Sequence, residues 1–193
     1  RDSMSWYDKL NEYFPIEEMK SKKHIDILLE EKSDIYFKSE SEKHVLLYVE
    51  KEEYIFIDYL LVTKQSRGDG VGKTLLNHLK TKNKPIILEV EPASPEDRDS
   101  GKRLNFYKRE DFLHASSIIY ERRSLATSEF NRMEILYWSP SDVSEKAILD
   151  SMQDVYKEIH TYKDQYIYGK AYQPVHEVLR TEEERKEDIL QAI

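Results

Sequence analysis

With 193 residues, of which 39% are hydrophobic and 35% charged, the chain can bury a substantial core and is too rich in aromatic residues to stay unfolded, which suits one domain with an appended element. Its 30 basic and 38 acidic side chains leave a formal charge of -8 with no dense Lys/Arg tract. That balance disfavours a nucleic acid and favours a cationic partner. The absence of cysteine excludes a disulfide frame, a thiolate nucleophile and a Cys-based zinc site, and no apolar run of about 18 residues is present to cross a membrane. No secretory segment opens the chain, so the expected location is cytoplasmic, and Arg1-Asp2-Ser3 ahead of Met4 reads as an addition to the natural chain.

In chain order, apolar residues at helical intervals predict helices over Trp6 to Phe14, with Leu10 and Phe14, and Ile16 to Glu30, with Ile25, Leu28 and Leu29; Pro15 separates them. Ile35 to Lys38, His44 to Val49 and Tyr54 to Thr63 are rich in β-branched and aromatic residues. They predict an antiparallel meander that delivers the chain into a glycine loop. Val71, Leu75 and Leu79 mark a helix ending near Pro85, and Ile86 to Val90 reads as a short buried strand. A polar stretch from Glu91 to Ser100 precedes a helix from about Gly101 to Arg109, with strands at Ser117 to Tyr120 and Glu134 to Trp138.

From Ser139 the character changes, which divides the chain into a domain over 1-138 and an extension over 139-193. Ile148, Met152, Val155, Ile159 and Tyr162 form one apolar stripe on a helix, with Asp142 and Glu145 in capping-box register at its start. Thr181 to Glu184 repeats that signature and predicts a short charged helix at the end. The stripe must pack, on its own domain or on a second copy in a homodimer. The six histidines show no paired ligand spacing, so each reads as surface or core and no metal is expected.

The stretch SRGDGVGKTLL, Ser66 to Leu76, holds three of the five glycines and at first sight looks like the phosphate loop of a nucleotide hydrolase. Such a loop needs a glycine five residues before the glycine of Gly72-Lys73-Thr74, and that place holds Arg67. Gly68 comes one residue too late, and arginine does not supply the conformation that is missing. The triplet Arg67-Gly68-Asp69 also matches an adhesion tripeptide, a pattern too short to carry weight.

The register satisfied is Gln65-x-x-Gly68-x-Gly70-Val71-Gly72-Lys73, lying between a strand and an amphipathic helix. It resembles the signature of the GCN5-related N-acetyltransferase (GNAT) family. Arg103 to Phe112 (RLNFYKREDF) resembles that family's second signature, and Leu88-Glu89-Val90 lies where the family places the strand after the coenzyme helix. The resemblance runs from about Tyr36 to Tyr120. It implies a GNAT-like α/β (α+β) fold: a mixed, largely antiparallel twisted sheet flanked by helices, here with a C-terminal helical extension. Two positions depart from the family pattern. Asp111 stands where glycine is usual, though Asp tolerates positive φ better than most residues. Ser100 replaces an Asn at the start of the last signature helix.

The resemblance implies acetyl-CoA as cosubstrate. Gly68, Asp69, Gly70, Val71, Gly72 and Lys73 would hold its pyrophosphate, because helix amides and a helix dipole attract an anion. Leu60, Leu61 and Val62 would pair with pantetheine as an added strand does, with the amide near Val62 polarising the thioester carbonyl. Glu89 is the implied base toward a small-molecule or peptide amine, and burial between Leu88 and Val90 is expected to raise its pKa. Glu91, on the same strand face, stands second and Asp58 third. Tyr107 is the implied proton donor to the thiolate. A non-catalytic coenzyme A sensor or interaction module on the same fold is the alternative.

Overall fold

A computed structural model of the chain describes residues 4–191 and 193. Arg1-Asp2-Ser3 lies outside the described residues. Helix α1 spans Trp6–Tyr13 and starts at Ser5, whose hydroxyl accepts from the Asp8 amide. The second predicted helix begins later than its apolar spacing suggests. After Pro15 the chain makes one 3₁₀ turn, Ile16–Glu18, and α2 runs Lys22–Glu31 because Ser21 caps it by accepting from the His24 amide at 3.2 Å.

The meander follows as β1 (Tyr36–Glu40), β2 (His44–Glu50) and β3 (Ile55–Val62), then α3 (Val71–Lys80), β4 (Ile86–Val90) and α4 (Arg98–Arg109). Strands β5 (Leu113–His114), β6 (Ile118–Arg123) and β7 (Phe130–Trp138) complete the central region. The sheet order is β1-β2-β3-β4-β7-β6, all neighbours antiparallel except β3 and β4, with β5 also pairing β7.

Strand alternation gives two cores. Phe56, Ile87 and Ile135 face α1, α2 and the C-terminal segment, while Ile55, Leu88 and Leu136 face α3 and α4. The apolar stripe of the tail joins the first of these. Ile148, Met152, Val155 and Ile159 are at most 1% exposed, and Tyr162 packs on the edge.

The tail corrects two sequence expectations. Helix α5 (Glu145–Val155) is capped by Ser144, whose hydroxyl accepts from the Ala147 amide at 3.1 Å, and not by Asp142. A serine one residue before the helix reaches that amide, whereas Asp142 stands two residues further out. The expected terminal helix is also absent among the described residues. After α6 (Asp164–Tyr168) and α7 (Val175–Val178), Leu179–Thr181 forms β8 on the free edge of β6. Residues 182–188 then run without helix, because the Glu182 and Lys186 amides bond to the Ser117 and Ser116 carbonyls instead of to a turn of their own. The extension is therefore mixed in structure, not purely helical.

Candidate functional site

The site begins with a strand irregularity. Across β2, Leu47 pairs with Tyr59 and Tyr48 with Ile57, leaving Asp58 as the extra residue of a β-bulge. A bulge bends its strand. Accordingly the β3–β4 pairing runs from Ile55↔Ile86 and stops at Ile57↔Leu88, although β3 continues to Val62 and β4 to Val90. Beyond that point the two parallel strands splay. Thr63 donates its amide to Lys43 of the β2 side, so by alternation the Leu61 peptide also faces β2. The Leu60 and Val62 peptides face the gap, where Arg67 Nε reaches the Val62 carbonyl at 3.3 Å.

A cleft of about 800 Å³ opens beside the end of β3, between the glycine loop with the start of α3 and helix α4. Leu60, Val62, Gly68, Gly70, Val71, Gly72, Lys73 and Tyr107 line it, whereas Leu61 points into the first core and neither Asp69 nor Glu89 is on the wall. Gly68 and Gly70 have φ of 91° and 79°, and a Cβ on either would meet nothing within 4 Å. The backbone there is bare toward the cleft. Gly70 caps α3, so the Val71, Gly72 and Lys73 amides are left without helical partners. Gly72 serves differently: a Cβ there would lie 3.0 Å from Phe106, so its absence lets α3 and α4 approach. Arg67, Lys73, Lys102 and Arg109 also line the cleft. A chain of charge -8 thus presents a locally basic, amide-rich opening, which is anion-binding chemistry.

Tyr107 is 7% exposed, with its ring edge-on to Phe106 and Phe112. Burial, then the nearby Tyr13, pushes its hydroxyl above the usual tyrosine range, so it stays protonated at neutral pH. The turn behind it is held by Asp111 at φ 69°, with Phe112 donating its amide to the Tyr107 carbonyl at 3.0 Å. The residue at the usual glycine place does adopt the left-handed conformation. Ser100 sits at the other end of α4, where its hydroxyl donates to the Asp97 carbonyl at 2.7 Å.

Glu89 projects from the opposite face of β4, toward α2 and the tail. Its Oε2 accepts from Tyr120 Oη at 2.9 Å and is bonded to His160 Nε2, while its Oε1 accepts from Arg122 at 3.4 Å. The expected rise in its pKa does not occur. Burial pushes the carboxyl up, but His160, Arg122 and Lys20 outweigh it and hold Glu89 well below the usual carboxylate range. Periodicity cannot supply this partner: His160 lies 71 residues away in the chain. Asp58 is tied to Lys20 Nζ at 2.8 Å and Tyr36 Oη at 2.6 Å, a buried structural pair.

Glu91, on the Glu89 face, is pushed above the usual carboxylate range by burial and then by Glu17. Glu18 gave no sequence signal, being one of many Glu residues in a charged segment. Burial and then Glu91 raise its carboxyl to about 7, with Arg103 and Arg122 opposing, and its Oε2 is buried without a partner. An acidic neighbourhood therefore borders the gap on one side, opposite the basic cleft.

No protein-family model matches the chain. It is 56% identical over 184 residues to the Bacillus subtilis (strain 168) protein named "Putative acetyltransferase YjbC", covering 95% of this chain and 96% of that one. Among solved structures, a Bacteroides thetaiotaomicron protein described as "Putative acetyltransferase from GNAT family" superposes with a TM-score of 0.54 at 23% identity, over 85% of this chain and 92% of that one.

Proposed function

The chain belongs to the GNAT family of acetyltransferases, and we propose on that premise that it transfers acetyl from acetyl-CoA directly to a primary amine of a cationic acceptor. The observation that carries the reading is the splayed β3–β4 gap opening onto a glycine loop and the uncapped start of α3. Gly68, Gly70 and the amides of Val71, Gly72 and Lys73 would hold the pyrophosphate, and the peptides of Leu60 and Val62 the pantetheine. When bound, the cosubstrate supplies an activated acetyl thioester. The rest of the chemistry falls to the chain. The Val62 amide, facing the gap, polarises the carbonyl; Glu89 accepts the proton of the incoming ammonium; and Tyr107 donates a proton to sulfur.

The balance is simple. The ammonium loses one proton to Glu89, and the free nitrogen bonds to the acetyl carbon as the carbon–sulfur bond breaks. Sulfur takes the Tyr107 proton, and the nitrogen's second proton passes through solvent to restore the tyrosine. The acidic residues Glu17, Glu18 and Glu91 beside the gap favour an acceptor that arrives positively charged.

The test combines calorimetry with acetyl-CoA and with magnesium-ATP, and amine-dependent thiol release across polyamines, aminoglycosides, amino acids and peptides. Acetyl-CoA binding plus turnover on a cationic amine is expected. ATP binding without acetyl-CoA binding refutes the assignment of the loop. Coenzyme binding with no turnover on any amine replaces the enzyme by a coenzyme A sensor.

A further inference from the structure

We propose that His160, carried back onto the sheet by the segment after α5, is a positioning residue that orients the Glu89 carboxylate for the acceptor amine; this rests on the reading of Glu89 given above. The segment that carries it departs from regular helix. Residues Tyr156–His160 form a π turn in which the Thr161 amide bonds to the Tyr156 carbonyl, five residues back, at 3.0 Å. Such turns widen a helix locally and concentrate at functional sites. Ile159 at 0% and His160 at 2% exposure both face inward from this turn, continuing the buried face of Ile148 and Leu149.

The partners of His160 set it apart from the other buried histidines. His24 uses both ring nitrogens, Nδ1 with Tyr168 Oη and Nε2 with the Ile159 carbonyl, each at 2.9 Å. His114 likewise uses both, Nε2 with Glu134 at 2.9 Å and Nδ1 with the Ile189 amide at 3.2 Å. Those are satisfied structural histidines. His160 engages Glu89 through Nε2 and leaves Nδ1 buried with no partner. Phe56 packs edge-on against the ring at 5.5 Å, so the ring cannot turn without disturbing the core. A buried nitrogen left bare in this way marks a ring whose orientation is set by its other nitrogen, here the one that meets Glu89.

The charges around the ring define its state. Glu89 on β4, Arg122 and Tyr120 on β6, Lys20 before α2 and His24 within it are the titratable groups facing the pair. Burial and then Lys20 lower the imidazole's pKa, while Glu89 opposes them. At neutral pH the ring is therefore neutral, and its single N–H is spent on the carboxylate. The Nδ1 lone pair remains available. When the ammonium gives up its proton, Glu89 takes it, while the imidazole stays neutral and its Nε2–H holds the carboxyl group in one orientation. One proton moves and no electrons change hands.

The experiment compares His160→Gln, which keeps a hydrogen-bonding group near the Nε2 position but cannot titrate, with Glu89→Gln and the double variant. His160→Gln should retain the affinity for acetyl-CoA, lose about 10-fold to 10²-fold in kcat and move the acid limb of the pH profile to higher pH, because His160 is one of the groups that hold the Glu89 carboxyl down. The double variant should lose little beyond Glu89→Gln, since the two residues act as a unit. Independently of turnover, ¹⁵N NMR of the histidine-labelled chain without substrate should show His160 protonated at Nε2 and bare at Nδ1 at neutral pH. That arm decides alone if His160→Gln does not fold. A proton on Nδ1 overturns the proposal. So does a wild-type kcat and pH profile in His160→Gln while Glu89→Gln loses turnover, and in that case the Glu89 reading stands. Full activity in Glu89→Gln removes that reading and this proposal with it.

Discussion

Removing the segment after Ser139 should unfold the chain rather than trim it. Five side chains of that segment, Ile148, Leu149, Met152, Val155 and Ile159, are between 0% and 5% exposed, and four of them are at most 1% exposed. Burying a large apolar side chain is worth about 1.5–3 kcal/mol, so these five contribute on the order of 8–15 kcal/mol, an upper estimate because denatured chains are partly compact. A whole domain is stable by only about 5–15 kcal/mol. Truncation also strips β8 from β6 and re-exposes the strand edge that Leu179–Thr181 covers. Expression, circular dichroism and light scattering of residues 1–139 should therefore show a disordered or aggregated product. Met152→Ala provides a graded version in the full chain. That side chain is 0% exposed, its loss should cost about 2–5 kcal/mol, and each kcal/mol lowers the melting midpoint by roughly 2–4 °C at this size. A truncated chain that stayed folded, monomeric and as stable as the full one would show that the stripe is not part of the domain's core.

At the coenzyme loop, Gly70→Val should abolish acetyl-CoA binding in calorimetry while far-ultraviolet circular dichroism stays native, because φ of 79° disfavours a β-branched residue and the open space at its Cβ faces the cleft; retained affinity would place the pyrophosphate elsewhere. Tyr107→Phe should lower kcat by about 10²-fold to 10⁴-fold and leave acetyl-CoA affinity nearly intact. Unchanged turnover would assign thiolate protonation to water. Glu18 carries the pH dependence: its carboxyl rises from an ordinary 4.5 to about 7 in the folded chain, so the folded state binds more protons across that window and stability declines as pH rises through it. Melting curves of Glu18→Gln should lose this decline and lie above wild type at pH values beyond the window. Parallel curves for the two proteins would refute the burial argument.

The chain's own alphabet determined the local elements and the loop. The β-branched and aromatic content of β2 to β4 and the 3.6-residue spacing in α1, α3 and α5 are properties of neighbours in sequence, and backbone sterics act at that range. The same is true of the glycines: placing Arg67 where a phosphate loop needs glycine excludes that loop before any tertiary contact forms. Helix starts were less legible, because Ser21 and Ser144 displaced the boundaries that apolar spacing and acidic residues suggested. One hydroxyl accepting from one amide is enough to choose between two nearby starts.

Only the tertiary structure decided what surrounds the acidic groups. Glu89 lies between Leu88 and Val90, and from that setting alone burial should raise its pKa. Arg122 from β6 and His160 from the tail reverse the direction. Glu18 is an unremarkable member of a charged run until folding buries it and sets it against Glu91. Likewise Thr181 carries a helix-start pattern yet ends a strand, because the free edge of β6 offers its backbone a better set of hydrogen bonds. Periodicity reports which face of an element is apolar. The charge state of a buried group depends on which distant residues meet it there, and Coulomb interactions in a low-dielectric interior are set by separation in space, not by separation along the chain.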